Sequence, residues 1–278
     1  MLSQLNLGFW ALWESFKGMK RWKVWAPFLV LGIAQLLLVL ALTQFHQPMF
    51  AWLFVPILER TFGPEVLHYP NFFLALPDLF SRINMFMDFL LGAFTIGVAA
   101  LIIWRSAARE RSGTPWSDAG KRYFALLLGR LPAFLLILAM SAGLPLLVGP
   151  PQDGEFSGNQ IRIVRYGSFL LGIVIEALFV YTPVLLVVER RKIGSALAAA
   201  VRLFLRTPVA TLLLVFLPNL LQLPLSAVLR RADLIKDKLS PEMIAVMVMF
   251  TIAGYLLVNY LMIASAVRVY GARAEEVR

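Results

Sequence analysis

Three times along this chain the same order of segments recurs: an amphipathic basic stretch, a proline, an apolar span, a connection, and a second apolar span that ends on arginine. The opening prolines are Pro27, Pro132 and Pro208, and the closing arginines are Arg105, Arg190 and Arg268. Such self-similarity restricts the fold to an all-α polytopic membrane protein, with six transmembrane helices in three elbow-plus-hairpin repeats. The whole chain, 1–278, then forms one membrane domain. Hairpin 1 covers 1–105, hairpin 2 covers 106–190 and hairpin 3 covers 191–278.

The spans follow from charge-free length. Stretches 26–45, 131–149, 207–229 and 243–267 carry no charge, and 83–104 and 166–188 carry one acid each. Each approaches the roughly 20 residues that a helix needs to cross the hydrocarbon core. A charged fraction of 15% and a mean hydropathy of +0.77 place the chain outside the usual range of soluble domains. The net charge of +10 would suit nucleic acid, but the basic residues alternate with the spans, so topology accounts for them and no nucleic-acid partner is expected. Of the 26 Lys and Arg residues, 18 fall on the side that carries both termini. The positive-inside rule therefore places both termini in the cytoplasm, and a bacterial cytoplasmic (inner) membrane is the expected location. The weak point is 230–242, placed outside although it holds Arg230, Arg231, Lys236 and Lys238. The first long apolar stretch begins near residue 26 and reads as a retained span, not a cleavable signal. The chain has no cysteine, which excludes disulfides and thiolate metal sites.

Each hairpin opens on an amphipathic pattern. Leu2, Leu5, Phe9, Leu12 and Phe16 share one helical face, as do Trp116, Ala119, Tyr123 and Leu127, and Ile193, Leu197, Val201 and Phe204. These patterns predict elbow helices lying at the membrane interface, with the bilayer and its anionic headgroups as the first partner. Lys20, Arg21, Lys23, Arg130, Arg202 and Arg206 are the expected headgroup contacts, the long cationic side chains snorkelling from the span ends. The proline that follows is expected in the first turn of the membrane-crossing helix, where its missing N–H is least costly. Pro145, Pro183, Pro218 and Pro224 predict kinks within later spans.

The outer connections are expected at 46–82, 150–165 and 230–242, and the first is far too apolar for a solvated loop. Met49–Leu58 is too short to span, which points to a surface-lying or re-entrant helix, and Asn71–Arg82 forms a second short apolar segment. Phe50, Trp52, Phe54, Phe72, Phe73 and Phe80 are the expected surface there, facing lipid or a protein partner.

Glu176 is the only ionisable side chain expected near the middle of a span. A charge at that depth is costly. It is either a proton-coupled site, a substrate contact or an interhelical clamp, or a neutral carboxyl bonded to Asn259, Tyr260, Gln35 or Tyr181. Asp88, Asn259 and Tyr181 complete the intramembrane polar candidates, with Asp88 read as lying one to two turns inside the outer end of its span. Asp88 and Glu176 are expected at depths too different for an acid-base pair. His46, His68, Glu65 and Asp78 match no metal-binding spacing, so no metal is expected. Walker A, dinucleotide, G-x-S-x-G and H-E-x-x-H motifs are absent, so no catalytic residue, cofactor or enzymatic activity is expected.

In VYTPVLLVVERRKIGSALAAAVRLFLRTPVATLLLVFLPNLL, residues 180–221, Val187, Val188, Glu189, Gly194, Ser195, Ala196 and Arg202 form a span end, a small-residue amphipathic helix and a basic residue before the next span. This order resembles the YciC-like proteins and the membrane domain attached to some glycerophosphodiester phosphodiesterases, a superfamily of six-span bacterial proteins. The resemblance implies the architecture and no catalytic residues. This chain departs from it at Arg206, Thr207 and Pro208 and in the long apolar first loop. The expected function is that of a non-enzymatic embedded subunit or scaffold of a larger membrane assembly, with a protein partner or a homo-oligomer. The alternative is a transporter or lipid-handling permease with Glu176 in a central cavity.

Overall fold

The computed structural model describes residues 2–108, 113–149, 157–229, 231 and 238–277. Among them every regular element is a helix, and six helices are long and apolar enough to cross a membrane: Trp22–Thr43, Asn71–Ala108, Tyr123–Val148, Gly158–Val187, Pro208–Leu229 and Glu242–Arg273. The expected connections at 150–165 and 230–242 lie partly outside the described residues, at 150–156, 230 and 232–237.

Helix α1 (Leu2–Gly18) leads through a tight turn into α2 (Trp22–Thr43). Pro27 is the sixth residue of α2, and Pro132 the tenth of α7 (Tyr123–Val148). Only Pro208, at the first position of α11 (Pro208–Leu220), opens its helix as expected, capped by Thr207 in a non-helical conformation. The other two lie in the interior because the helix starts before the apolar run does. Trp22 and Lys23 in α2, and Tyr123 to Arg130 in α7, are good enough helix formers to extend the span backwards.

The first outer connection is shorter than expected. Helix α3 (Pro48–Phe62), a single 3-10 turn at Pro64–Leu67 and a short bend lead to α4 (Asn71–Met87). Helix α4 runs through a π-helical turn at Asp88–Gly92 into α5 (Ala93–Ala108), so 71–82 is the start of a 38-residue span and not a loop segment. Phe72 and Phe80 are buried with Leu76 and Leu79, and Phe54 is buried on α3. These three phenylalanines were expected at the surface. The 3.6-residue period of α4 turns that stripe onto α2 and the last helix instead. Trp52 remains 73% exposed, and Phe50 and Phe73 are half-buried.

The expected second elbow divides. Helix α6 (Pro115–Gly120) holds Trp116 and Ala119, whereas Tyr123 and Leu127 already belong to α7. Helix α8 (Gly158–Phe179) begins inside the expected connection 150–165, on a capping box between Ser157 and Gln160. A break at Val180 and Tyr181 precedes α9 (Thr182–Val187), whose second residue is Pro183. Helix α10 (Ile193–Arg206) precedes α11, and a second break at Leu221 leads to α12 (Gln222–Leu229) with Pro224. Pro145 leaves α7 continuous. The last helix, α13 (Glu242–Val277), runs well beyond the expected end at 267.

Small residues let the helices approach. A Cβ at Gly129 of α7 would lie 2.6 Å from Leu186 Cδ1 of α9, and one at Gly8 of α1 would lie 3.3 Å from the Ala210 backbone of α11. Helix α1 is fixed from within the bundle: Tyr260 donates to Ser15 O at 2.8 Å, Arg268 Nη1 donates to Ser15 Oγ at 3.0 Å, and Trp25 stacks on Tyr260 with centroids 4.8 Å apart. The chain is a multi-pass helical membrane protein, and its core lies where α2, α5, α11 and α13 meet.

Candidate functional site

A cavity of about 1000 Å³ opens between α4, α7, α8, α12 and α13. It is lined from the second half of α7 (Leu138, Ser141), from α12 (Leu225, Ser226, Leu229) and from the first half of α13 (Val248, Thr251). It therefore occupies the half of the bundle remote from α1, α6 and α10. Its walls are largely aromatic and aliphatic, with Phe134 of α7 stacked on Phe89 at 4.5 Å and edge-on to Phe86 at 5.7 Å.

Charge collects at the floor. Arg130 Nη2 donates to Asp88 Oδ2 at 2.8 Å, and Nη1 donates to the Asp88 carbonyl at 3.2 Å. Both side chains are mostly buried, Arg130 25% and Asp88 15% exposed. Asp88 is the first residue of the π turn, and its backbone carbonyl as well as its side chain accepts from Arg130. Gly92 closes that turn without a side chain. A Cβ there would collide with the Asp88 carboxylate and come 2.9 Å from Arg130 Nη1.

Glu176 lines the same floor and accepts from Asn219 Nδ2 at 3.1 Å; Asn219 also donates to Val215 O at 3.0 Å. The Asp88 and Arg130 charges act on Glu176, and Tyr255 of α13 faces the same ion pair. Gln35 Nε2 donates to Asn84 Oδ1 at 2.8 Å in the cavity wall, leaving Gln35 Oε1 buried without a partner among the described residues. Asn259 lines the cavity and donates to Tyr255 O at 3.2 Å.

Two sequence expectations are corrected here. Arg130 does not reach for headgroups; it turns inward onto Asp88, because α7 starts at Tyr123 and carries residue 130 two turns up the helix, onto the cavity face. Asp88 and Glu176 are not separated by depth. The continuous span beginning at Asn71 places Asp88 17 residues, about 25 Å of helix, from its start, so both carboxyl groups reach one cavity.

Of the other intramembrane candidates, Tyr181 is fully buried and shares a hydrogen bond with Thr211 at 2.8 Å, away from the cavity. Tyr260 and Gln35 bond elsewhere, and the partner of Glu176 is Asn219, which the sequence reading did not name. Its signal was present as an amide directly after Pro218 in a charge-free span. Lys20, Lys23, Arg202 and Arg206 are exposed, and the exposed Arg21 bonds to Ser106. Among the described residues no three of His, Asp and Glu are grouped so as to hold a metal ion.

The class that fold and cavity define is a six-span helical membrane protein with a charged site at mid-bundle. No protein-family model, no curated protein and no solved structure matches the chain.

Proposed function

We propose that the protein is a permease for amphipathic small molecules with a cationic, hydrogen-bond-donating head. The observation that carries this reading is the floor of the cavity, where two carboxyl groups, Asp88 and Glu176, meet the Arg130 guanidinium beneath apolar walls, while the other guanidinium of the lining, Arg82, is exposed and lies over the Phe62 ring. Arg130 pairs with Asp88 through Oδ2, Asp88 Oδ1 has no hydrogen-bond partner among the described residues, and Glu176 has only a neutral amide partner. An ionised Glu176 therefore leaves one negative charge to be matched, and a buried charge is retained at that depth only when paired. Gln35 Oε1 adds an acceptor that only a donor can satisfy. An aromatic-walled cavity suits an apolar body and favours a cation over the ring faces.

Glu176 then serves as the exchange site: protonated when the cavity is empty, ionised when the cationic head lies against it. Arg130, locked on Asp88, keeps the floor from gaining a second free negative charge. With 18 of 26 basic residues on the side of α1, α6 and α10, that side faces the cytoplasm and the cavity opens outward from a bacterial inner membrane. The rival reading, an embedded scaffold subunit, drew on the apolar first connection, whose Phe54, Phe72 and Phe80 are used within the chain.

The test is ethidium flux into proteoliposomes under an imposed pH gradient. Glu176→Gln is expected to cut the initial rate by about tenfold, equivalent to ~1.4 kcal/mol, and to flatten its pH dependence while the protein folds normally. Flux that is absent for organic cations, or equal in the Glu176→Gln protein, sinks the reading.

A further inference from the structure

A second, smaller cavity, of about 330 Å³, lies at the opposite end of the bundle, lined by Arg105, Asp118, Lys121, Arg122, Val187 and Arg190. Three chain segments bring these charges together. Arg105 lies three residues before the end of α5, Lys121 and Arg122 form the turn that enters α7, and Arg190 lies three residues beyond α9. All three are span ends on one side of the bundle, so the cluster sits at the level where headgroups begin.

Among the described residues, four cations face one carboxylate. Asp118 is committed to Arg105, whose hydrogen bond holds the Asp118 carboxyl below its ordinary value, with Lys121 and Arg190 adding to the effect. Arg122 is held in place by backbone carbonyls, donating from Nη1 to Leu186 O at 3.0 Å. Arg105 is only 13% exposed, and its Nη1 is buried with no hydrogen-bond acceptor among the described residues. An unsatisfied guanidinium nitrogen beside three further cations costs free energy unless an anion completes the site. The exposed Lys121 and Arg190 leave the cavity accessible.

We infer that this pocket binds a phosphate group, and that its source is the headgroup of an anionic phospholipid in the adjoining leaflet. A phosphate offers several acceptor oxygens to converging donors and matches guanidinium geometry bidentately. Basic pockets between span ends hold lipid phosphates by the same electrostatics. This site is independent of the cavity that carries the transport reading, and its failure leaves that reading untouched.

The full-length protein in mild detergent is titrated with phosphatidylglycerol and with phosphatidylcholine under native mass spectrometry, and with inorganic phosphate by thermal unfolding. One phosphatidylglycerol per chain, retained in preference to phosphatidylcholine, is expected. Lys121→Gln and Arg190→Gln each remove one exposed charge, and together should weaken retention by about tenfold or more. Stabilisation by inorganic phosphate with the same dependence on these variants, and no lipid preference, would support the phosphate site and assign it to the free anion. Neither ligand bound, or binding equal in the double variant, overturns the inference. Should the double variant misfold, Lys121→Gln alone carries the test, with a loss of about threefold to fivefold expected.

Discussion

At the scale of single residues the decisive pair is Asp88 and Arg130, because each would be an uncompensated charge without the other. Taking one partner from a buried, hydrogen-bonded pair costs about 3–5 kcal/mol, much of it the penalty on the charge left behind. Asp88→Asn and Arg130→Gln should therefore each destabilise the protein by about 3 kcal/mol. Asp88→Asn combined with Arg130→Gln should recover more than half of the summed loss, since neither residual amide carries charge. Unfolding in mild detergent, treated as a double-mutant cycle, measures this; additive losses would mean that the ion pair does not couple the helices. The pair was legible in the sequence as two residues but not as a pair. In the linear sequence charges mark span ends, so Arg82 reads as the last residue before the second span and Arg130 as preceding the third. In the structure Arg82 lies within α4, its guanidinium 5.8 Å from the Phe62 ring centroid, and the helix continues past it. A linear pattern gives depth only once the helix start is known, and here both starts lie upstream of the charges.

At the scale of elements, α1 shows that the apolar face of an amphipathic helix and the face that packs on the protein need not coincide. Its apolar positions Leu2, Phe9 and Phe16 are exposed, and its buried stripe is Gly8, Ala11 and Ser15. In a bilayer the apolar face has no need of the protein interior, whereas small residues allow backbone approach and van der Waals packing. Helix α1 therefore docks by its small face on α11 and α13 and turns its large side chains outward. Gly8→Leu should force α1 from Ala210 and cost about 1–3 kcal/mol, the usual range for overpacking. Phe9→Leu, on a side chain 55% exposed, should stay within about 0.5 kcal/mol. Thermal unfolding of the two variants side by side is the test: a larger loss for Phe9→Leu would make the apolar face, and not the small-residue face, the docking face. The same physics explains why six spans were recoverable from hydropathy while the role of each helical face was not. Span existence depends on composition along the chain, but face assignment depends on what solvates the other side.

For the whole molecule, the two cavities lie at opposite ends of one bundle, and their chemistry differs: an apolar-walled cavity lined by two carboxyl groups and two guanidiniums, Arg130 paired with Asp88, in one half, and a cluster with more cations than carboxylates at the other end. If basic residues face the cytoplasm, the cavity that holds Glu176 opens outward and the basic cluster meets the inner leaflet. The absence of cysteine makes this arrangement directly measurable, since a single introduced thiol reports alone. Ser226→Cys, on the cavity wall, should react with a membrane-impermeant thiol reagent added to intact cells, and Ser117→Cys, on α6, only after the cells are permeabilised. Labelling of Ser226→Cys should also fall in the presence of ethidium, because the cation would occupy the space beside it. The reverse accessibility pattern would invert the topology. The cavity would then open inward, and a cation would reach Glu176 from the cytoplasm, so the labelling pattern also fixes the side from which the carboxyl group is loaded.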